Sequence, residues 1–386
     1  MNIALIIETM DPTRGGREAS TAQIAAGLAA RGHAVTVFCQ RGQLNVEGVT
    51  VWALGRRGLG RRRRLSNFVE DVHAALEAGD FDISHAMLPI PGADVYQPRG
   101  GTVPAQAATS RRRRSIIARP LVEAGHMLNL HRQAMGRLEA VVARDRGTWC
   151  LANSDMVARE FETHYGRAEN VRVVYNGVDL PQIAPERWAD WRQQKRQRFG
   201  ARREDMVFLT VATNLSLKGV DRTIRSFAKW IHRRKGGRPA HLLVAGNDDV
   251  EGYRRLAGLN GVGRLTNFVG KIDDIVPWYA AADACILLSW YDACSRVVLE
   301  ATRLGLPSLT TTLNGACEVL GDGAGIIVET PDDVRGIVAG LDDLIDDVSR
   351  ARRTEACRAI ADRLSMDRHV EELQGVYHEI KGQTAT

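Results

Sequence analysis

Ala284-Cys285-Ile286-Leu287-Leu288 is an unbroken apolar run, and Trp290-Tyr291-Asp292-Ala293-Cys294-Ser295-Arg296-Val297-Val298-Leu299-Glu300 follows it almost at once. The run is short and carries no polar alternation, so it reads as a fully buried strand. Beyond it, apolar residues return at Cys294, Val297, Val298 and Ala301, which is helical spacing. The stretch is therefore a strand, a turn and a helix start.

Asp292 falls in the turn and Glu300 on the helix. Two readings fit such an acidic pair. One is an N-cap with a solvated side chain. The other is a ligand site: a helix start offers unpaired N–H groups and the positive end of its dipole to an anion. Carboxylates beside it can accept hydrogen bonds from sugar hydroxyls. That combination suits a sugar attached to a nucleotide diphosphate.

Working outward, the second half alternates strands and helices. Strands are expected at Val207–Ala212, His241–Ala245, Leu265–Val269, Ala284–Leu288, Pro307–Thr310 and Gly325–Val328. The first half does the same, with strands at 2–7, 35–38, 49–53, 82–86, 148–152 and 171–175. Two successive alternations of similar size predict two doubly wound parallel-sheet domains of α/β class, facing across a cleft. The expected boundaries are 1–180, 181–365, and a last helix over 366–386 that returns to the first domain. The segment from Pro89 to Arg114 has no clear period and reads as a long functional loop. A helix is expected from Ser115 to Arg144.

At 386 residues, 44% hydrophobic and 25% charged, the chain is an ordinary soluble protein with room for two cores. No run approaches the ~18 apolar residues of a membrane span, and the N-terminus reads as a first strand, which predicts a cytoplasmic protein. Six scattered cysteines, with no paired spacing, read as core residues of a reducing compartment and leave no metal site. The net charge of +6 is unevenly placed: Arg61–Arg64 and Arg111–Arg114 are runs of four. They read as a solvated face or as contacts to an anionic partner. Membrane phospholipid at the inner face is favoured over nucleic acid, because no aromatics interleave with the arginines.

Other residues gather at the strand ends. Gly15-Gly16 with Glu18 lies at the first strand-to-helix turn, where such sheets place ligands, and it is not the G-x-G-x-x-G dinucleotide fingerprint. Lys218-Gly219 follows the first strand of the second domain. The lysine is either an exposed loop residue or a point charge for a phosphate. His85 ends a first-domain strand and points toward the cleft, in a structural or a catalytic role. Asn314-Gly315-Ala316 is one more turn at that edge.

Together these residues resemble the GT-B fold glycosyltransferases, specifically the retaining family 4 group. The Gly15-Gly16-x-Glu18 turn, Val174–Asp179, Lys218-Gly219, Tyr279–Asp283, the Asp292–Glu300 element and Gly305-Leu306-Pro307 occur in that family's order and spacing. Lys218–Arg222 and Pro91–Tyr96 are also similar to the lipopolysaccharide core glucosyltransferases, on shorter segments. The resemblance implies catalytic roles for Lys218, Asp292 and His85. Donor contacts would come from Gly15, Gly16, Lys218, Asp292, Ser295, Arg296, Val297 and Glu300, with Glu300 on the ribose and Asp292 on the transferred sugar. Glu18 and His85 would lie on the acceptor side. No cofactor and no metal are implied; the partners are a nucleotide-sugar donor, by family default a uridine one, and a glycan or lipid-linked acceptor.

Asp292 would occupy the family's first glutamate position with a side chain one methylene shorter, and two further departures stand beside it. Leu217 stands where the family has an arginine, and Cys294-Ser295 replaces its Phe-Gly. Arg296 is the expected substitute for the lost cation. The implied reaction is attack on the same face as the departing diphosphate, with its oxygen taking the acceptor proton. The rival readings are a sugar-nucleotide epimerase or hydrolase of the same fold, which needs no acceptor, and a degenerate protein that binds without turnover.

Overall fold

The structure is a computed structural model that describes residues 1–113, 129–234, 236–246, 248–321 and 323–384. Arg114, and the part of the expected 115–144 helix up to residue 128, lie outside them. The chain divides into two compact units, Met1–Asp179 with Ser365–Thr386, and Leu180–Leu364.

The first unit holds a seven-stranded sheet in the order Val49–Ala53, Ala34–Cys39, Asn2–Ile6, Ile83–Ala86, Val95–Tyr96, Trp149–Ala152, Val171–Val173, with every pairing parallel. Asn2–Ile6 runs near the middle because Ile3 to Ile6 are wholly apolar, and all four are fully buried. Ile3 pairs with Val35 on one side and Ile83 on the other. The C-terminal helix Met366–Thr384 packs on the first helix, Gly16–Ala30: a Cβ at Gly27 would lie 2.7 Å from Val370 Cγ2. Past the C-terminal ends of Asn2–Ile6 and Ala34–Cys39, Thr9–Met10 pairs with Arg41–Gly42. Gly42 has φ +133°, and any Cβ there would lie 2.0 Å from the Met10 carbonyl oxygen, so this closure needs glycine.

The Pro89–Arg114 segment is not one long loop. It contains the strand Val95–Tyr96 and the helix Val103–Arg112. Pro104 falls in the first turn, where its missing N–H costs nothing, and Ala105, Ala107 and Ala108 favour helix without showing an apolar period. Buried acids hold this helix start. Glu139 accepts from Val103 N–H at 2.7 Å, and Glu160 accepts from Thr102 N–H at 3.0 Å and from its hydroxyl at 2.8 Å.

The second unit holds a six-stranded sheet in the order Thr266–Gly270, Ala240–Ala245, Met206–Val211, Ala284–Leu287, Ser308–Thr311, Gly325–Val328, again all parallel. Its core includes Phe208, Phe227 and Trp230, which meet edge to face or tilted. The helix Pro185–Gln197 is tied to the sheet through Asp283, which pairs with both Arg192 and Arg196 and accepts from Val207 N–H at 2.8 Å. Asp283 therefore holds the scaffold behind the site.

Candidate active site

The strand Ala284–Leu287 leads through a loop to the helix Arg296–Arg303, and neighbouring turns fix that loop from both sides. Trp290 N–H donates to Leu217 O at 2.9 Å and Asp292 N–H to Leu313 O at 2.9 Å, while Gly315 N–H donates to Asp292 O at 2.8 Å. The backbone carrying Asp292 is thus held by hydrogen bonds to two other strand-end turns.

One of those turns is the Lys218 turn, which closes on the strand end only because Gly219 lacks a side chain. Gly219 has φ +63°, and a Cβ there would lie 2.1 Å from the Leu288 carbonyl oxygen. The closure brings the Lys218 ammonium onto the Asp292 carboxylate, with each side chain 17% exposed. A cation and an anion are held at the mouth of the site, still reachable from solvent.

The helix start beside them is set by Asn314, which is fully buried. Its Oδ1 accepts from Ser295 N–H and Ala316 N–H, each at 3.1 Å, and its Nδ2 donates to Thr310 Oγ1 at 3.0 Å. Ser295 is the N-cap residue; its own side chain makes no cap hydrogen bond, its N–H is taken by Asn314, and no acid lies in the first turn of the helix. With no acid in that turn, the positive end of the dipole beside Ser295, Arg296 and Val297 favours an anion.

Glu300 lies one turn on, 14% exposed. Its Oε2 accepts from Tyr279 Oη at 2.9 Å, and its Oε1 faces Arg296 Nη2 at 3.3 Å. Burial, reinforced by the Glu300 charge, pushes the Tyr279 phenol well above its ordinary range, so it stays protonated as a donor. Arg296 spends its charge partly on Glu300, with 13% of its side chain exposed.

In the first unit, Gly15 precedes the helix that Gly16 begins, in extended backbone with φ 173°. Glu18 is buried in the first turn and pairs with Arg17 at 3.0 Å. His85 does not lie open to a ligand as expected. It is fully buried, its Nδ1 is 2.6 Å from Tyr377 Oη, and its Nε2 has no hydrogen-bond partner. The reason is topological: its strand is interior to the sheet, and the C-terminal helix that carries Tyr377 covers that face. Burial first, then the Arg99 charge, lowers its pKa to about 3, so the ring is neutral near pH 7.

Sequence reasoning noted Tyr279 only as part of the run Tyr279–Asp283, with no role at the site, and undervalued Asn314. Tyr279 sits in the run Val276–Ala281, every residue of which is buried, and nothing local marks its hydroxyl. Asn314 is an asparagine opening a turn, a weak signal of a side chain bonding to backbone. Arg61, Arg62 and Arg63 are exposed in the first turn of the helix Gly60–Ala78. Among the described residues, no helix is long and apolar enough to cross a membrane, and no cluster of three or more His, Cys, Asp or Glu could hold a metal.

Each unit matches a known family. Residues 14–182 match the Glycosyltransferase Family 4 model, and residues 205–347 match Glycosyl transferases group 1. The chain is a GT-B glycosyltransferase, built from these two halves. It is 24% identical over 323 residues to the lipopolysaccharide glucosyltransferase WaaG of Escherichia coli K12, covering 82% of each chain. It is 28% identical over 266 residues to the D-inositol 3-phosphate glycosyltransferase of Acidothermus cellulolyticus, covering 66% of this chain and 58% of that one. Its fold matches the crystal structure of WaaG with TM-score 0.78 at 22% identity, over 96% of this chain and 98% of that one. It also matches HepE of Anabaena in complex with UDP and glucose, with TM-score 0.73 at 20% identity, over 98% and 100%.

Proposed function

We propose that the chain is a retaining glycosyltransferase that moves a sugar from a uridine diphosphate sugar to a hydroxyl of a glycan or lipid-linked acceptor, in lipopolysaccharide or cell-envelope polysaccharide biosynthesis. The observation that carries this is the Lys218–Asp292 pair beside the helix start at Ser295, whose first turn holds no acid, with Glu300 held by Tyr279 one turn away. It offers a cation and helix N–H groups to a diphosphate, and two carboxylates to sugar hydroxyls. The names of the relatives support the donor class: one is a glucosyltransferase, and the Anabaena neighbour holds UDP.

Catalysis in this reading consists of positioning plus charge stabilisation on the leaving diphosphate. Lys218 moves from Asp292 toward the phosphate as charge develops there, and the helix start holds the other oxygens. Asp292, once released, accepts from a hydroxyl of the transferred sugar. Glu300 receives the ribose hydroxyls, its oxygens held in place by Tyr279 and Arg296. Retention follows from the acceptor attacking on the face the diphosphate leaves, its proton going to a diphosphate oxygen. His85, buried and neutral, is a positioning residue on the acceptor side with Glu18. The test is incubation with UDP-glucose and cell-envelope glycolipid acceptors, followed by NMR of the product. Acceptor-dependent transfer with the anomeric configuration kept is the expected result. Donor consumption without an acceptor, or an inverted product, overturns the reading.

A further inference from the structure

The first unit contains a second cationic site, not used above. A cavity of about 210 Å³ is lined by Arg14, Arg17, Arg41, Arg56, Arg61 and His131, with Glu8, Thr9 and Gln40. The lining brings together five separate stretches: the residues just after the first strand, the first helix start, the Arg41–Gly42 strand with Gln40 before it, the segment from Arg56 into the start of the helix Gly60–Ala78, and the start of the helix Leu130–Arg144. The Thr9–Met10 pairing with Arg41–Gly42, which Gly42 alone permits, forms one wall. Arg14 is fixed there by a 3.1 Å hydrogen bond from its Nη1 to Thr9 Oγ1.

Two observations independent of the charge indicate a missing ligand. Gln40 is only 4% exposed, and its Nε2 donor has no partner; His131 Nδ1 is likewise buried and unpartnered. A buried amide donor left unpaired costs about 1–3 kcal/mol, so a ligand oxygen in that place removes a penalty. The helix Gly60–Ala78 also begins with basic residues and no side-chain cap, which sets Arg61 against the helix dipole. An anion at this mouth relieves both. Glu8 is the one carboxylate of the lining against five arginines, so the balance stays positive.

We infer that this cavity binds a phosphate monoester, and that the acceptor of the proposed reaction carries that group. Guanidinium forks match phosphate oxygens bidentately, and Gln40 and His131 supply further polar contacts at the wall. The volume is below the ~300–1,000 Å³ of pockets for whole drug-sized ligands, which suits a phosphate group and the few atoms that bear it. The acceptor assignment rests on the glycosyltransferase reading; the phosphate site itself rests only on the residues above.

The test uses the full chain and calorimetric titration with inorganic phosphate, glycerol 3-phosphate and glycerol, with flotation on phosphatidylcholine vesicles with and without phosphatidic acid. Glycerol 3-phosphate is expected to bind once per chain and glycerol not at all. Arg41→Ala and Arg56→Ala, both exposed and expected to melt as the parent does, each weaken binding about tenfold. Arg56→Lys recovers part of the loss. Arginine-dependent flotation only with phosphatidic acid identifies a lipid headgroup, and soluble binding without flotation identifies a free phosphorylated acceptor; either supports the site. No saturable binding, equal binding by the variants, or displacement of glycerol 3-phosphate by UDP-glucose overturns it. UDP-glucose titrated into the same samples separates the two ideas. Donor binding without glycerol 3-phosphate binding removes the cavity assignment alone, and the reverse removes the glycosyltransferase reading alone.

Discussion

The Lys218 ammonium is ion-paired with the Asp292 carboxylate, across 74 positions of sequence. Two strand-end turns of one sheet carry the pair, and the backbone bond from Trp290 N–H to Leu217 O ties those turns together. Each side chain is only 17% exposed, so the pair is mostly buried, and its place at a helix start points to ligand chemistry. Replacing Lys218 with alanine should lower kcat about 10²-fold, together with a lower melting temperature because Asp292 loses its partner. Steady-state kinetics on the purified variant check this; near-normal kcat would remove Lys218 from the mechanism.

Tyr279→Phe deletes the hydroxyl that donates to Glu300 Oε2 at 2.9 Å. One oxygen of a mostly buried carboxylate then lacks its partner, which costs about 1–3 kcal/mol. A lower unfolding midpoint is expected, together with a donor KM raised several-fold and a smaller change in kcat. A donor KM that does not move would show that Tyr279 serves only the core.

Gly219→Ala places a Cβ 2.1 Å from the Leu288 carbonyl oxygen in left-handed backbone. The conformation alone costs about 1–2 kcal/mol for an L residue, and the clash adds to it. Chemical denaturation should show a loss above ~2 kcal/mol, well beyond the ~1 kcal/mol average of point substitutions. Gly321→Ala, whose φ is +53° with open space around it, serves as the control for the conformational part.

His85 gives a pH dependence. Its folded pKa is about 3 against an ordinary 6.5, so the unfolded chain takes up the proton first as pH falls. Stability from this group is complete above about pH 6.5 and is lost toward pH 3, at about 1.4 kcal/mol per pH unit. His85→Gln should flatten the wild-type slope between pH 6 and 4 by roughly that amount, since the carboxylates are common to both proteins. Parallel slopes would mean the ring is not buried neutral.

Much of this was legible because strand and helix periods are local properties. The six strands of the second unit lie within a residue or two of their expected places, and the strand, turn and helix around Asp292 follow directly from apolar spacing. The helix Val103–Arg112 was hidden because alanines show no apolar face and proline suggests a break. The burial of His85 was hidden because it depends on Tyr377, which the chain brings back from 292 positions away. The roles of Asn314 and Tyr279 also depend on contacts between strand-end turns and helices that no short window contains.

The central claim is that Lys218, Asp292 and Glu300, grouped around the helix start at Ser295, form the donor site. Calorimetric titration of UDP-glucose into the wild-type chain and into Lys218→Ala and Glu300→Ala measures it directly. One site per chain, weakened about tenfold or more in each variant, with both variants still folded at the titration temperature by thermal melting, is the predicted result. Unchanged affinity in both variants would contradict it.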